Sequence, residues 1–158
     1  MDNTLALLFS LLFIFSVGTA APLPMDVVNM KSRVKVISET LLSRLKKGFQ
    51  DPPGLTPADD LDGLSSTVYV LEGYRSLIND SVNGAKQVRT DISSLTGHLR
   101  LWMEEQCSEQ QHKGVESQTL KLLQSRQGFT LSVSLEAVMR VKEFLNLLLK
   151  RLDNLESC

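Results

Sequence analysis

The chain has 158 residues, with 17 basic and 18 acidic side chains, a net charge of −1 and 42% hydrophobic residues. Every Lys and Arg lies beyond residue 30 and only Asp2 among the acids lies before Pro22, so from Pro22 onward the count is 17 against 17. That balance excludes a nucleic-acid binder, which needs a concentrated basic surface, and gives no polybasic attraction to anionic lipid. The roughly 137 residues from Pro22 onward suffice for one domain with one core.

Residues 5–17, LALLFSLLFIFSV, form an uncharged apolar run of the length of a signal-peptide h-region, too short for a comfortable membrane span. Gly18, Thr19, Ala20 and Ala21 follow and suit signal-peptidase cleavage after Ala20 or Ala21. The n-region carries Asp2 and no Lys or Arg, so its only positive charge is the α-amino group. Residues 1–21 are therefore read as a signal peptide, and residues 22–158 as a secreted domain with no membrane insertion.

The first element downstream runs from Val27 to Phe49, where Met30, Val34, Ile37, Leu41 and Leu45 recur at helical spacing. Asp26 can cap its start and Gly48 can end it. The segment after it, with Pro52, Pro53, Gly54 and Pro57, reads as irregular chain. The 18 residues from Gly48 to Ser65 can span about 59–65 Å when extended, against about 30 Å for a 20-residue helix. A second helix is predicted from Thr67 to Val82, with Ser66 as a possible cap and Val68, Leu71, Tyr74, Ile78 and Val82 on one face. Asn83-Gly84 marks a tight turn, which makes the next helix an antiparallel neighbour.

That third helix runs from about Ala85 to Glu105, with Val88, Ile92, Leu95, Leu99 and Trp102 spaced four, three, four and three. A long connection, about residues 106–133, contains Cys107 and a short apolar patch, TLKLLQS. The fourth helix is predicted from about Leu135 to Leu152, with Leu135, Val138, Val141, Leu145, Leu148 and Leu152 on one face. Ser134 can cap its start, and Lys150 and Arg151 suit its negative end. Phe144 and Leu147 widen its stripe, and the TLKLLQS patch could cover them. Long, short and long connections predict an all-α, up-up-down-down four-helix bundle with two crossover loops; an up-and-down bundle with long loops is the alternative.

Cys107 and Cys158 are the only cysteines. In an oxidising compartment they admit one intramolecular disulfide; two free thiols or intermolecular pairing through Cys158 are the alternatives. Catalysis and metal binding find no support. His98 and His112 fall in different elements, and no carboxylate cluster has ligand spacing. No nucleophile motif or glycine-rich phosphate loop is present, so the chain reads as a non-enzyme without cofactor. Gly97 stands mid-helix, either for the close approach of a partner or as a tolerated cost of about 1 kcal/mol. Asn79-Asp80-Ser81 is an N-glycosylation sequon near the predicted end of the second helix.

Several stretches together resemble the leptin family, with the texture of its fish members. They are VISETLLSRL ending at Arg44-Leu45; PPGLTP; Gln87 followed by VRTDISSLTGHL, matching at Gln87, Asp91, Leu95 and Leu99; and AVMRVKEFLNLLLKRLD, matching at Ala137, Arg140, Leu145, Leu149, Leu152 and Asp153. Cys107 and Cys158 match the family's disulfide in position and spacing. The resemblance covers residues 22–158. It implies a long-chain helical cytokine, monomeric when free, that binds a class I cytokine receptor, the leptin receptor, and signals in energy balance and food intake.

The same resemblance implies a principal receptor contact on the first and third helices. By position it includes Arg33, Glu39, Thr40 and Arg44 on the first helix, and Gln87, Ser94, Gly97 and His98 on the third. A second surface would join Phe49, Gln50, Asp51 and Pro52 to Ser132 and Val133. Two other functions fit the helical pattern: a different four-helix hormone of the same fold, or an amphipathic-helix lipid binder.

Overall fold

The computed structural model describes residues 27–50, 61–107, 117–155, 157 and 158. The signal-peptide assignment, Asp26, most of the first crossover and His112 lie outside the described residues. The described residues form five α-helices: α1 Val27–Gly48, α2 Leu64–Leu77, α3 Ala85–Gln106, α4 Gln118–Ser125 and α5 Thr130–Arg151, the last continuing into a 3₁₀ turn, Leu152–Asn154. Among the described residues there is no strand.

Each long helix buries one stripe, as amphipathic periodicity requires. On α1 the buried residues include Met30, Val34, Leu41, Leu42 and Leu45; on α3 they are Ala85, Val88, Ile92, Leu95, Thr96, Leu99 and Trp102. The Trp102 indole N–H donates to the Gln106 side-chain oxygen at 2.6 Å, which satisfies the polar edge of a fully buried ring. Helix α1 packs on α3 and α5, and α2 packs on α3, α5 and α4. Among the described residues α1 does not meet α2, nor α3 meet α5, so these pairs lie across the core from one another. The α5 face is correspondingly wide and buries Arg140, Lys142 and Phe144 besides its aliphatic stripe. Arg140 pairs with Glu143 at 3.2 Å, and the Lys142 ammonium donates to the Phe49 carbonyl at 3.3 Å.

Helix α2 differs at both ends from its predicted span. It starts at Leu64, and Ser66 is buried inside it instead of capping it. The cap comes from the end of the chain: the Leu64 N–H donates to the Ser157 carbonyl at 3.0 Å, and the Ser65 N–H to the Cys158 carbonyl at 3.2 Å. These two bonds satisfy donors that a helix leaves unpaired in its first turn. Gly63 makes the approach feasible. Its φ is +151°, and an added Cβ would lie 2.9 Å from both the Ser157 oxygen and the Cys158 carbonyl carbon. Cys158 is in turn bonded to Cys107, at the end of α3, with a Cα–Cα distance of 5.8 Å.

At its other end α2 stops at Leu77, five residues earlier than predicted. Ser134 is not the α5 cap but a mid-helix residue whose hydroxyl donates to the Leu77 carbonyl at 2.9 Å and accepts the Asn79 N–H at 3.1 Å. The Arg89 guanidinium donates to the Ile78 carbonyl at 2.9 Å. Asn79 then turns the chain by accepting the Ser81 N–H at 2.8 Å, a local alternative to helix. Ile78 and Val82 are buried nonetheless, which is why their spacing imitates a helix. Helix α5 starts at Thr130, its inner stripe passes through Val133, Ala137, Val138 and Val141, and Leu135 is exposed instead of facing the core.

The TLKLLQS patch is α4, an eight-residue helix capped by Ser117, whose hydroxyl accepts the Leu120 N–H at 3.0 Å. It packs on α2 and α5; Phe144 is buried and Leu147 half-buried. Leu120 fills the space above Gly73, where an added Cβ would lie 2.2 Å from a Leu120 methyl.

Two stability outcomes are expected. Removing the disulfide with Cys158→Ser opens a loop of sequence separation 51. Loop closure of that size is worth about 4 kcal/mol, so Tm should fall by roughly 10 °C; an unchanged melting curve by circular dichroism would contradict this. Gly73→Ala should destabilise by about 1–3 kcal/mol through overpacking. In a Leu120→Ala background the same change should be neutral or stabilising, since only the helix-propensity gain of about 1 kcal/mol is left. Urea titrations of the four chains check the reversal of sign.

Candidate functional site

The exposed face of α1 and α3 is built on two matching stripes. Arg33, Thr40 and Arg44 are exposed on α1, and Gln87, Ser94 and His98 recur on one side of α3 at helical spacing. Where the helices meet, the Arg44 guanidinium pairs with the Asp91 carboxylate. Asp91 accepts a second bond from the Gln87 side-chain amide at 2.8 Å. Arg44 and Asp91, 47 positions apart in sequence, are thus brought together, and Gln87 joins them through the same carboxylate.

Asp91 is not among the contact positions that the resemblance implies, although it stands one helical turn from Gln87. Its signal is the i, i+4 spacing of an amide and a carboxylate on one helix face. The Arg44 side chain keeps 42% of its accessibility and Asp91 19%, so the cluster is presented to solvent. An exposed pair of this type adds about 0–1 kcal/mol to stability. Its constraint is orientation: Arg44 and Gln87 are held side by side on two different helices.

The remaining contact positions fall as follows. Glu39 is exposed, and with Thr40, Ser43, Arg44 and Lys47 lines a shallow groove along α1. The Thr40 hydroxyl is turned back onto its own helix, donating to the Val36 carbonyl at 2.8 Å. The half-buried His98 ring places Nδ1 2.8 Å from the Ser94 carbonyl, which makes Nδ1 the protonated nitrogen, since a carbonyl can only accept. Gly97 has no atom within 4 Å of an added Cβ, so no contact inside the chain requires glycine there.

On the second surface Gln50 and Ser132 are exposed, and Asp51 and Pro52 lie outside the described residues. Val133 is buried in the core at 3% exposure, because it heads the inner stripe of α5; its side chain cannot reach a partner. The exposed apolar residues at that end are Phe129, Leu131 and Leu135. Among the described residues no three of His, Cys, Asp and Glu come together as metal ligands. No described helix is long and apolar enough to cross a membrane.

Over its whole length the chain is 43% identical to the leptin of Tetraodon nigroviridis and 42% identical to the leptin of Takifugu rubripes, each of which it covers completely. The chain belongs to the leptin family. No protein-family model matches it, and no solved structure matches it significantly. Membership in the leptin family agrees with the all-helical fold and with the Cys107–Cys158 bond.

On the opposite side of α3, Glu72 of α2 fixes how this leptin-family helix sits. Its carboxylate accepts from the Thr96 hydroxyl at 2.6 Å and from Arg75 at 2.8 Å, and Arg100 lies at 3.4 Å. Burial by itself raises the Glu72 pKa. The hydrogen bonds from Thr96 and Arg75 and the charges of Arg75 and Arg100 outweigh it and leave the pKa lowered. A carboxyl with a lowered folded-state pKa contributes stability that is complete above the ordinary glutamate range and is lost as pH falls through the folded value. Glu72→Gln should therefore lower Tm at neutral pH and flatten its decline in acid. Melting curves of both chains across that range check it.

Proposed function

We propose that the chain is a secreted leptin-type hormone that binds the ectodomain of a class I cytokine receptor, the leptin receptor, and through it acts in energy balance and food intake. The observation that carries the reading is the cluster in which Asp91 joins Arg44 of α1 to Gln87 of α3. It sets a charged and an amide side chain, exposed and pre-oriented, on the two helices that the leptin resemblance implicates. Arginines held in this way are frequent anchors of binding interfaces.

Full-length identity to two leptins supports the same reading. Residues 1–21 would act as the signal peptide, residues 22–158 as the hormone domain, and the free hormone would be a monomer without enzymatic activity. Gln50, Asp51, Pro52 and Ser132 would form the second receptor surface. An up-up-down-down arrangement is supported by contacts between opposite helix ends. Arg44, late in α1, meets Asp91, early in α3, while Lys31, early in α1, lies 5.6 Å from the ring centre of Trp102, late in α3. Leu64 opens α2 beside Ser157, and Leu77 closes it beside Ser134. The burial of the apolar stripes of α1, α3 and α5 favours a hormone over a lipid binder.

The test is binding of the oxidised chain from residue 22 to the leptin-receptor ectodomain of the same species, with the growth-hormone-receptor ectodomain alongside. Saturable binding to the first alone is expected, and binding to neither would refute the reading. Arg44→Ala with Gln87→Ala should weaken that binding about tenfold or more while leaving helicity unchanged. Equal affinity would move the contact away from this face.

A further inference from the structure

Asn79-Asp80-Ser81 is the only N-x-S/T sequon in the sequence. It lies in the turn between α2 and α3 and not within a helix, because α2 stops at Leu77. The Asn79 main chain is anchored: its N–H donates to the Ser134 hydroxyl at 3.1 Å, and its carbonyl accepts from the Val82 N–H at 3.3 Å. The side chain is oriented as well. Its Oδ1 accepts both the Ser81 N–H, at 2.8 Å, and the Ser81 hydroxyl. A backbone N–H can only donate, so the oxygen faces Ser81 and the Nδ2 amide is turned away from it.

Beside it is a shallow groove lined by Ser76, Leu77, Asn79, Gln127, Thr130 and Val133. The Ser76 and Thr130 hydroxyls and the Gln127 amide border it and offer hydrogen-bond partners to an N-acetylated sugar, while Leu77 and Val133 form its buried floor.

We propose that Asn79 is a site of N-linked glycosylation, with the first sugar rooted in this groove at the start of α5. The proposal rests on the secreted reading of the chain. In the transfer, Asn79 Nδ2 forms a bond to the anomeric carbon of an N-acetylglucosamine carried by a lipid-linked diphosphate oligosaccharide. The bond from that carbon to the diphosphate oxygen breaks, the diphosphate leaves with the electron pair, and Nδ2 gives up one proton. No oxidation or reduction is involved. The Ser81 hydroxyl is the sequon partner, and in the folded chain it holds Oδ1 and so leaves Nδ2 on the side away from Ser81. The glycan would extend from the end of the bundle that carries Ser132 and the exposed Phe129 and Leu131, so the modification bears on the second surface.

The experiment is translation of the full chain with microsomes of the endoplasmic reticulum, with entry scored separately by protection from added protease. The protease-protected chain should migrate as one slower species that an N-glycanase collapses to the unmodified position. Asn79→Asp, which retains the Oδ1 acceptor and loses the amide, should abolish the shift, as should Ser81→Ala. Ser81→Thr should keep it. A protected chain with unshifted mobility would overturn the proposal. An unprotected chain would instead be a failure of the secreted reading; the same chain behind a standard secretory leader then gives the shift or its absence, with the same meaning for Asn79.

Discussion

Cys158 is where the structure is closed. Its sulfur is bonded to Cys107 at the end of α3, its carbonyl receives the Ser65 N–H at the start of α2, and its own chain arrives from α5 through the turn at Leu152–Asn154. Three helix ends are thereby tied to one residue. The start of α1 reaches the same end, since Lys31 donates to the Asp153 carbonyl at 3.2 Å and lies over Trp102. A helix start depends on finding acceptors for its first N–H groups, and α2 has Gly63 before it, with no capping side chain. The covalent bond and the helix cap are therefore coupled: what holds Ser157 and Cys158 in place also supplies α2 with its first two acceptors.

From that closed end, the positions of the helices follow from shape more than from charge. α4 is only eight residues long, below the length at which an isolated helix is stable, so its existence depends on what it covers. Leu120 seated on Gly73 is the fitted contact, and α2 and α5 offer one continuous surface to it. The polar links then set register: Glu72 to Thr96 between α2 and α3, Ser134 to Leu77 between α5 and α2, Lys142 to Phe49 between α5 and the end of α1.

Much of this was legible in the sequence because helical periodicity is a statement about burial. The stripe of α3 is buried as spaced, that of α1 likewise except that Ile37 is half-buried and Ser38 buried beside it, and the boundaries of both agree within a residue of the expected ones. The two failures have a common cause. Ser66 and Ser134 carry the residue type of a cap, but both lie inside their helices, and the groups that meet the two ends of α2 are distant in sequence: Ser157 and Cys158 at its start, Ser134 at its close. Periodicity likewise assigned Ile78 and Val82 to α2, since a buried turn residue and a buried helix residue produce the same spacing. Local pattern carries no information about which remote group satisfies a helix end. Val133, which the resemblance placed on the second surface, lies on the buried stripe of α5.

The candidate site shows a third kind of legibility. Arg44 and Gln87 were identifiable singly, each with an ordinary solvated helix face as the simpler explanation. Their relation exists only through Asp91, which is half-buried and holds both. An exposed ion pair adds little to folding, so stability gives no strong reason for this one. For recognition the same geometry has a definite advantage: long side chains already confined before contact lose less rotamer freedom on binding, an ordering cost of about 0.5–1.5 kcal/mol for each such side chain. Asp91 thus adds little to the fold, and its effect is to hold two side chains of different helices in one orientation.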